Sequence, residues 1–137
     1  MMMIPVEVKK SEIHGQGIFA TSSIPEGTVL WAFVPGLYRS TSGYVVKYGD
    51  PRVSSYIQER GYLSPEKPNT WIICFDEAQF WNFPRRGEEA NCRLGGELDG
   101  EKLILADRDI AVGEELTVPP ESDADYARKI SKYESYS

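Results

Sequence analysis

Between His14 and Gly27 the chain reads His-Gly-Gln-Gly-Ile-Phe-Ala-Thr-Ser-Ser-Ile-Pro-Glu-Gly, a glycine-spaced turn between two strand-like runs, closed by a Pro-Glu-Gly turn. Gly15 and Gly17 lack the Cβ atoms that would keep another molecule away from the backbone, and both tolerate positive φ. Such a turn is either a plain hairpin end or a place where bare backbone meets a small molecule, and Gly-x-Gly alone does not separate the two. His14 is the only histidine, so neither a catalytic triad nor a histidine metal cluster can be assembled around it, and its place in the turn favours a loop role over that of a base. Cys74 and Cys92 are too few for a four-thiolate site and lack the close spacing of a metal knuckle. They read as two buried thiols, and no metal is expected. Tyr38, Tyr44, Tyr48, Tyr56 and Tyr62 crowd one stretch of the chain, where they supply either core area or the aromatic wall of a binding surface.

The elements that must carry these residues are short. Val6 to Val8, Ile18 to Ala20 and Thr28 to Val34 read as strands, with Trp71 to Phe75, Lys102 to Asp107 and Glu115 to Val118 following. Pro35 to Pro68 is punctuated by Gly, Pro, Ser and Tyr and reads as an insert with one short helix at about Val53 to Arg60. Glu77 to Phe83 reads as a turn or short helix. After Pro119-Pro120 a terminal helix is expected: Ser122, Asp123 and Asp125 supply caps and early acids, and Arg128, Lys129 and Lys132 supply late bases. Tyr126, Ile130 and Tyr133 fall at i, i+4 and i+7, one face that can dock on the body. Many short strands without a βαβ alternation point to a mainly β fold of small sheets and exclude a doubly wound sheet.

At 137 residues, 41% of them hydrophobic, one core is expected. No run of about eighteen apolar residues and no leader pattern is present, so the default location is cytoplasmic and no membrane partner is expected. Residues 1–75 carry seven Lys or Arg against six Asp or Glu, whereas residues 76–137 carry eight against fifteen, giving a net charge of -6. That balance argues against direct nucleic-acid binding, which rests on Lys and Arg. The acids serve either solubility or a basic polypeptide partner.

Val6 to Gly27 resembles the opening hairpin of the SET family of lysine methyltransferases, in which the Gly-x-Gly backbone touches S-adenosylmethionine. Leu105 to Thr117, ending in Gly-Glu-Glu-Leu-Thr, resembles the family segment that leads toward the active site. Asp76 to Phe83 resembles the entry to the family's Asn-His-Ser-Cys-x-Pro-Asn motif, and Glu88 to Cys92 its exit. The resemblance covers Val6 to about Pro120 and implies a SET-type fold with a knot-like C-terminal crossing, spanning residues 1–120, with a helical segment at 121–137 packed on it. It further implies methyl transfer from S-adenosylmethionine to lysine in a basic protein or peptide. By position, His14, Gly15, Gln16 and Gly17 would offer backbone to that cofactor, Asn82 would match the motif's first asparagine, and Asn91 would brace the crossing.

The chain also departs from the pattern. Phe83 stands where histidine is expected, Pro84-Arg85-Arg86 push the motif apart, and Ala90 replaces its proline. A competing alignment places Arg85 and Arg86 at the asparagine and histidine positions without a gap. Pro120 stands where the catalytic tyrosine is expected and has no hydroxyl, leaving Tyr126 as the nearest replacement; that residue is either a functional hydroxyl or a docking contact of the helix. These departures motivate the alternative of a catalytically silent SET-like module that binds a partner or the cofactor, and a third reading as a small β scaffold. The methylated protein, the number of methyl groups transferred and the oligomeric state are not encoded in these motifs.

Overall fold

The computed structural model describes residues 1–34 and 38–135. Residues 35–37, at the start of the expected insert, and 136–137, at the end of the expected terminal segment, lie outside the described residues. Among the described residues, eight short strands form three small antiparallel sheets. β1 (Val6–Lys10) and β2 (Gln16–Ala20) make the opening hairpin, with Val6 opposite Ala20 and Lys10 opposite Gln16. β3 (Val29–Trp31), β8 (Glu101–Ala106) and β7 (Cys92–Leu98) form a sheet in the order β3-β8-β7. β4 (Tyr38–Ser42), β6 (Thr70–Cys74) and β5 (Gly61–Leu63) form the third, with β6 central.

The fold is mainly β, as the sequence implies, and the insert is more ordered than its composition announces. α1 (Gly43–Tyr48) starts on Ser42, whose hydroxyl accepts from the Tyr44 amide. α2 (Pro51–Arg60) starts on Asp50, with Pro51 in the first turn where its missing N–H costs nothing. The expected helix at about 53–60 therefore begins two residues earlier, directly after its cap. The stretch expected as a strand at Glu115 to Val118 is instead a line of single bridges, Phe19 to Glu115 and Asn82 to Thr117.

Ile18, Leu30, Ile72, Ile110 and Leu116 are fully buried and share one core with Phe83, Cys92, Ile104 and Val118. Each such side chain contributes about 1.5–3 kcal/mol relative to exposure. Both cysteines are buried and free, and burial pushes each thiol up to about 12. The terminal helix, α3 (Tyr126–Ser135), docks through the expected face: Ile130 is buried, and Tyr126 and Tyr133 pack on the main core. Its acids precede the helix instead of lying in its first turn. Asp123 accepts from the Asp125 amide and holds Lys129 at 2.6 Å.

Candidate functional site

The Gly-x-Gly turn is fixed from behind by one side chain. Asn82 is 3% exposed, and its Nδ2 donates to the His14 carbonyl at 2.9 Å, the Gln16 carbonyl at 3.0 Å and Glu115 Oε2 at 2.8 Å. Glu115 in turn accepts from the Ser11 hydroxyl at 2.7 Å, and Ser11 Oγ accepts from the Ile13 amide inside the turn. Three segments far apart in sequence thus close on one another: the turn, the entry to the altered motif, and the Gly-Glu-Glu-Leu-Thr run.

That run is clamped on both sides. The Leu116 amide donates to the Ile18 carbonyl and the Ala20 amide to the Glu114 carbonyl, tying it to β2. On the other side the Val118 amide donates to the Asn82 carbonyl, and Asn91, 6% exposed, donates to the Glu115 carbonyl while accepting from the Thr117 amide. Asn91 braces the crossing as the resemblance implies. The two alignments are now separable: Asn82 sits buried at the crossing, whereas Arg85 is exposed and reaches the Glu12 carbonyl.

A cavity of about 450 Å3 opens against this junction, a size ordinary for a small-molecule site. His14, Gly15, Gln16, Asn82 and Phe83 all line it. Gly15 has φ +50°, and nothing lies within 4 Å of the place where a Cβ would stand. Gly17 is different. A Cβ there would strike the Glu115 carboxylate and Ser11, so its missing side chain serves packing, and it does not line the cavity.

From the terminal helix, Tyr133 enters the cavity wall, whereas Tyr126 packs edge-on against Phe83 at 4.9 Å and is not part of that wall. The Tyr133 hydroxyl donates to Asn82 Oδ1 at 3.2 Å, and its ring stacks on His14 at 4.2 Å. Burial holds the Tyr133 phenol well above its usual range, so it remains a donor. Burial, followed by the nearby Lys132 charge, holds His14 below its usual value and favours neutral imidazole. The sequence contained Tyr133 only as a docking position at i+7. What it lacked was the rotation that turns that tyrosine toward the turn.

The remaining wall is aromatic, with Trp31, Tyr62, Phe80 and Trp81 contributing. The indole N–H groups of Trp31 and Trp81 are buried without a hydrogen-bond partner among the described residues. Of the five insert tyrosines, Tyr62 lines the cavity and Tyr38 is buried on Trp31, whereas Tyr44, Tyr48 and Tyr56 are exposed. The charged part of the wall mixes four acids, Glu59, Glu66, Glu101 and Asp123, with five bases, Arg60, Lys102, Arg128, Lys129 and Lys132, and is not the acidic surface that net charge alone invites. No group of three or more His, Cys, Asp or Glu that could hold a metal occurs among the described residues.

A Gly-x-Gly hairpin, a buried asparagine and a C-terminal run threaded between them, set among three small sheets, define a SET-type domain. The SET domain family model matches residues 15–119, and the chain belongs to that family. Among solved structures the fold is similar to that of a candidate histone methyltransferase of Plasmodium falciparum, with a TM-score of 0.53 at 11% identity over 84% of this chain and 96% of that one. No curated protein matches the chain significantly.

Proposed function

We propose that the protein transfers a methyl group from S-adenosylmethionine to the side-chain amine of a lysine in a polypeptide. The observation that carries this reading is the convergence of the Gly15 turn, Asn82 and Tyr133 on one aromatic cavity. The open side of Gly15 fits a ligand that comes close to backbone. When bound, the cofactor supplies a sulfonium methyl. The chain's own part is positional. Asn82 holds the turn, the aromatic wall keeps water away from an entering amine and favours its neutral, nucleophilic form, and a buried tyrosine hydroxyl orients the nitrogen.

The hydroxyl role falls to Tyr133 in preference to Tyr126, because Tyr133 lines the cavity and remains protonated. A basic polypeptide is the substrate that the net charge of -6 favours, although the cavity wall itself mixes acids and bases. The experiment is a calorimetric titration with S-adenosylmethionine followed by radiolabel transfer to mixed basic proteins, using wild type, Tyr126→Phe and Tyr133→Phe. Heat and label, retained in the first variant and reduced about tenfold or more in the second, are expected. No heat and no label would overturn the reading. Heat without label would favour the silent binding module, for which Phe83, the Pro84-Arg85-Arg86 insertion and Pro120 at the tyrosine position are the motivating departures.

A further inference from the structure

The cavity holds a second chemical feature on strands remote from the Gly-x-Gly hairpin. Glu101, the first residue of β8, lines it and is only 2% exposed. Its carboxylate accepts from the Tyr62 hydroxyl at 2.8 Å and from the Ser64 hydroxyl at 3.0 and 3.2 Å. Lys67 Nζ stands 3.6 Å away, outside hydrogen-bond range, and lies over the Phe33 ring. The other acids of the wall differ. Asp123 is in contact with Lys129 at 2.6 Å, Glu59 is in contact with Lys132 at 3.0 Å, and Glu66 is exposed.

Among the described residues, Glu101 is therefore a buried cavity carboxylate held mainly by hydroxyls, its ion pair with Lys67 at 3.6 Å being longer than that of Asp123 with Lys129 at 2.6 Å. Burying a carboxylate is costly, and hydroxyl bonds offset the cost without cancelling the charge. The surroundings suit an organic cation: Trp31 lies edge-on to Tyr62 at 6.1 Å, Trp81 and Phe80 complete the wall, and Arg60 already rests over Phe80 at 5.2 Å. Tyr62 is held far above its usual range, first by burial and then by the Glu101 charge, so it stays a phenol with oxygen lone pairs that can accept from an N–H.

We propose that Glu101, with the Tyr62 and Ser64 hydroxyls that bond it, is the recognition point for a primary aliphatic ammonium, the end of a lysine side chain, inside this cavity. The inference rests on the amine-methylation reading and names the group that selects the amine. It assigns recognition only: an ammonium in contact with Glu101 keeps its proton, so the neutral amine that takes the methyl group forms only after it has left this carboxylate. Lys67 is then a partial competitor for the same charge, which gives the idea its test.

The probe is n-butylammonium chloride at constant ionic strength, with 1-butanol as the neutral control, followed by tryptophan fluorescence because Trp31 and Trp81 line the cavity. Butylammonium is expected to give a saturable change that butanol does not. Glu101→Gln is expected to weaken it about tenfold or more, and Lys67→Met to strengthen it about threefold. Equal responses to amine and alcohol would overturn the proposal, as would Glu101→Gln binding that matches wild type despite a lowered melting temperature. Should Glu101→Gln not fold, Lys67→Met still decides, because a purely structural ion pair predicts no gain in amine affinity. S-adenosylmethionine calorimetry in parallel separates the two readings: no heat there, with Glu101-dependent amine binding intact, sinks methyl transfer and leaves the cation site.

Discussion

Replacing Asn82 by alanine removes the link between three segments at once. Its carboxamide donates to two backbone carbonyls and to the Glu115 carboxylate, and accepts from Tyr133. Two amide hydrogens serve three acceptors, so the donor side counts as two bonds, one of them charge-assisted. With about 1 kcal/mol for a neutral bond and about 1.5–3 kcal/mol for a charged one, plus about 1 kcal/mol for the Tyr133 bond, the loss comes to about 3.5–5 kcal/mol. For 137 residues that corresponds to a fall in melting temperature of about 12–17 °C. Asn82→Asp probes the same contact by charge. It sets a second carboxylate against Glu115 and removes both hydrogens, so the new group's folded pKa is raised above its unfolded value. A raised folded pKa gives stability that is present below about pH 3.9 and lost as pH rises through the folded value. The deficit of this variant relative to wild type is therefore expected to widen from pH 4 to pH 7, while that of Asn82→Ala stays nearly flat. Urea unfolding at several pH values measures both. An alanine cost below about 1 kcal/mol, or an aspartate deficit independent of pH, would refute the assignment of Asn82 as the junction.

Two further outcomes follow from neighbouring contacts. Gly17→Ala should cost about 1–3 kcal/mol because its Cβ meets Glu115 and Ser11, whereas Gly15→Ala meets open space and carries only the positive-φ penalty of about 1 kcal/mol; thermal melts that reverse this order would contradict the packing described. Glu114 is held below the usual carboxylate range, first by its hydrogen bond with Arg108 and then by the Ala111 amide. Its depressed folded pKa gives stability that is present above about pH 4.5 and lost as pH falls through the folded value, so Arg108→Met should flatten the loss between pH 5 and pH 3; identical acid titrations of the two proteins would exclude this pair as a contributor.

How much of this was legible in the sequence depends on what holds each element. β1, β2, β6 and β8 announce themselves because apolar or β-branched runs are bounded by turn residues, and their cores lie where those runs fall. β4 reads Tyr-Arg-Ser-Thr-Ser and is an edge strand whose side chains mostly face water, so no alternation marks it. β7 contains Gly95-Gly96, a pair that looks like a break; the strand persists because β8 supplies its ladder, with a register irregularity between Gly95 and Leu98. At the site, the order of the motif blocks was enough to bring His14, Asn82 and the Gly-Glu-Glu-Leu-Thr run together. Glu101 was invisible, because a glutamate beside Asp99-Gly100 reads as solvated turn chemistry, and only the β5 to β8 approach buries it.

The altered motif is the remaining puzzle, and the pattern of burial resolves why the fold tolerates it. What the crossing uses is its first and last positions: Asn82 binds the turn, and Asn91 binds the threaded run. Both are kept. Phe83 replaces an expected histidine with a ring that joins the core beside Tyr126 and Tyr133, so burial supplies there what a polar contact would otherwise have to supply. Pro84 is buried at the exit, and residues 85–89 are then exposed, turning back through Gly87 at φ +89° before Asn91. Extra residues in an exposed loop add little closure entropy, because that cost grows only with the logarithm of length. The insertion is thus accommodated in solvent while both asparagines hold the crossing, and Tyr133 reaches the same asparagine from a helix lying beyond the family segment. The alteration therefore bears on the cavity lining far more than on whether the domain forms.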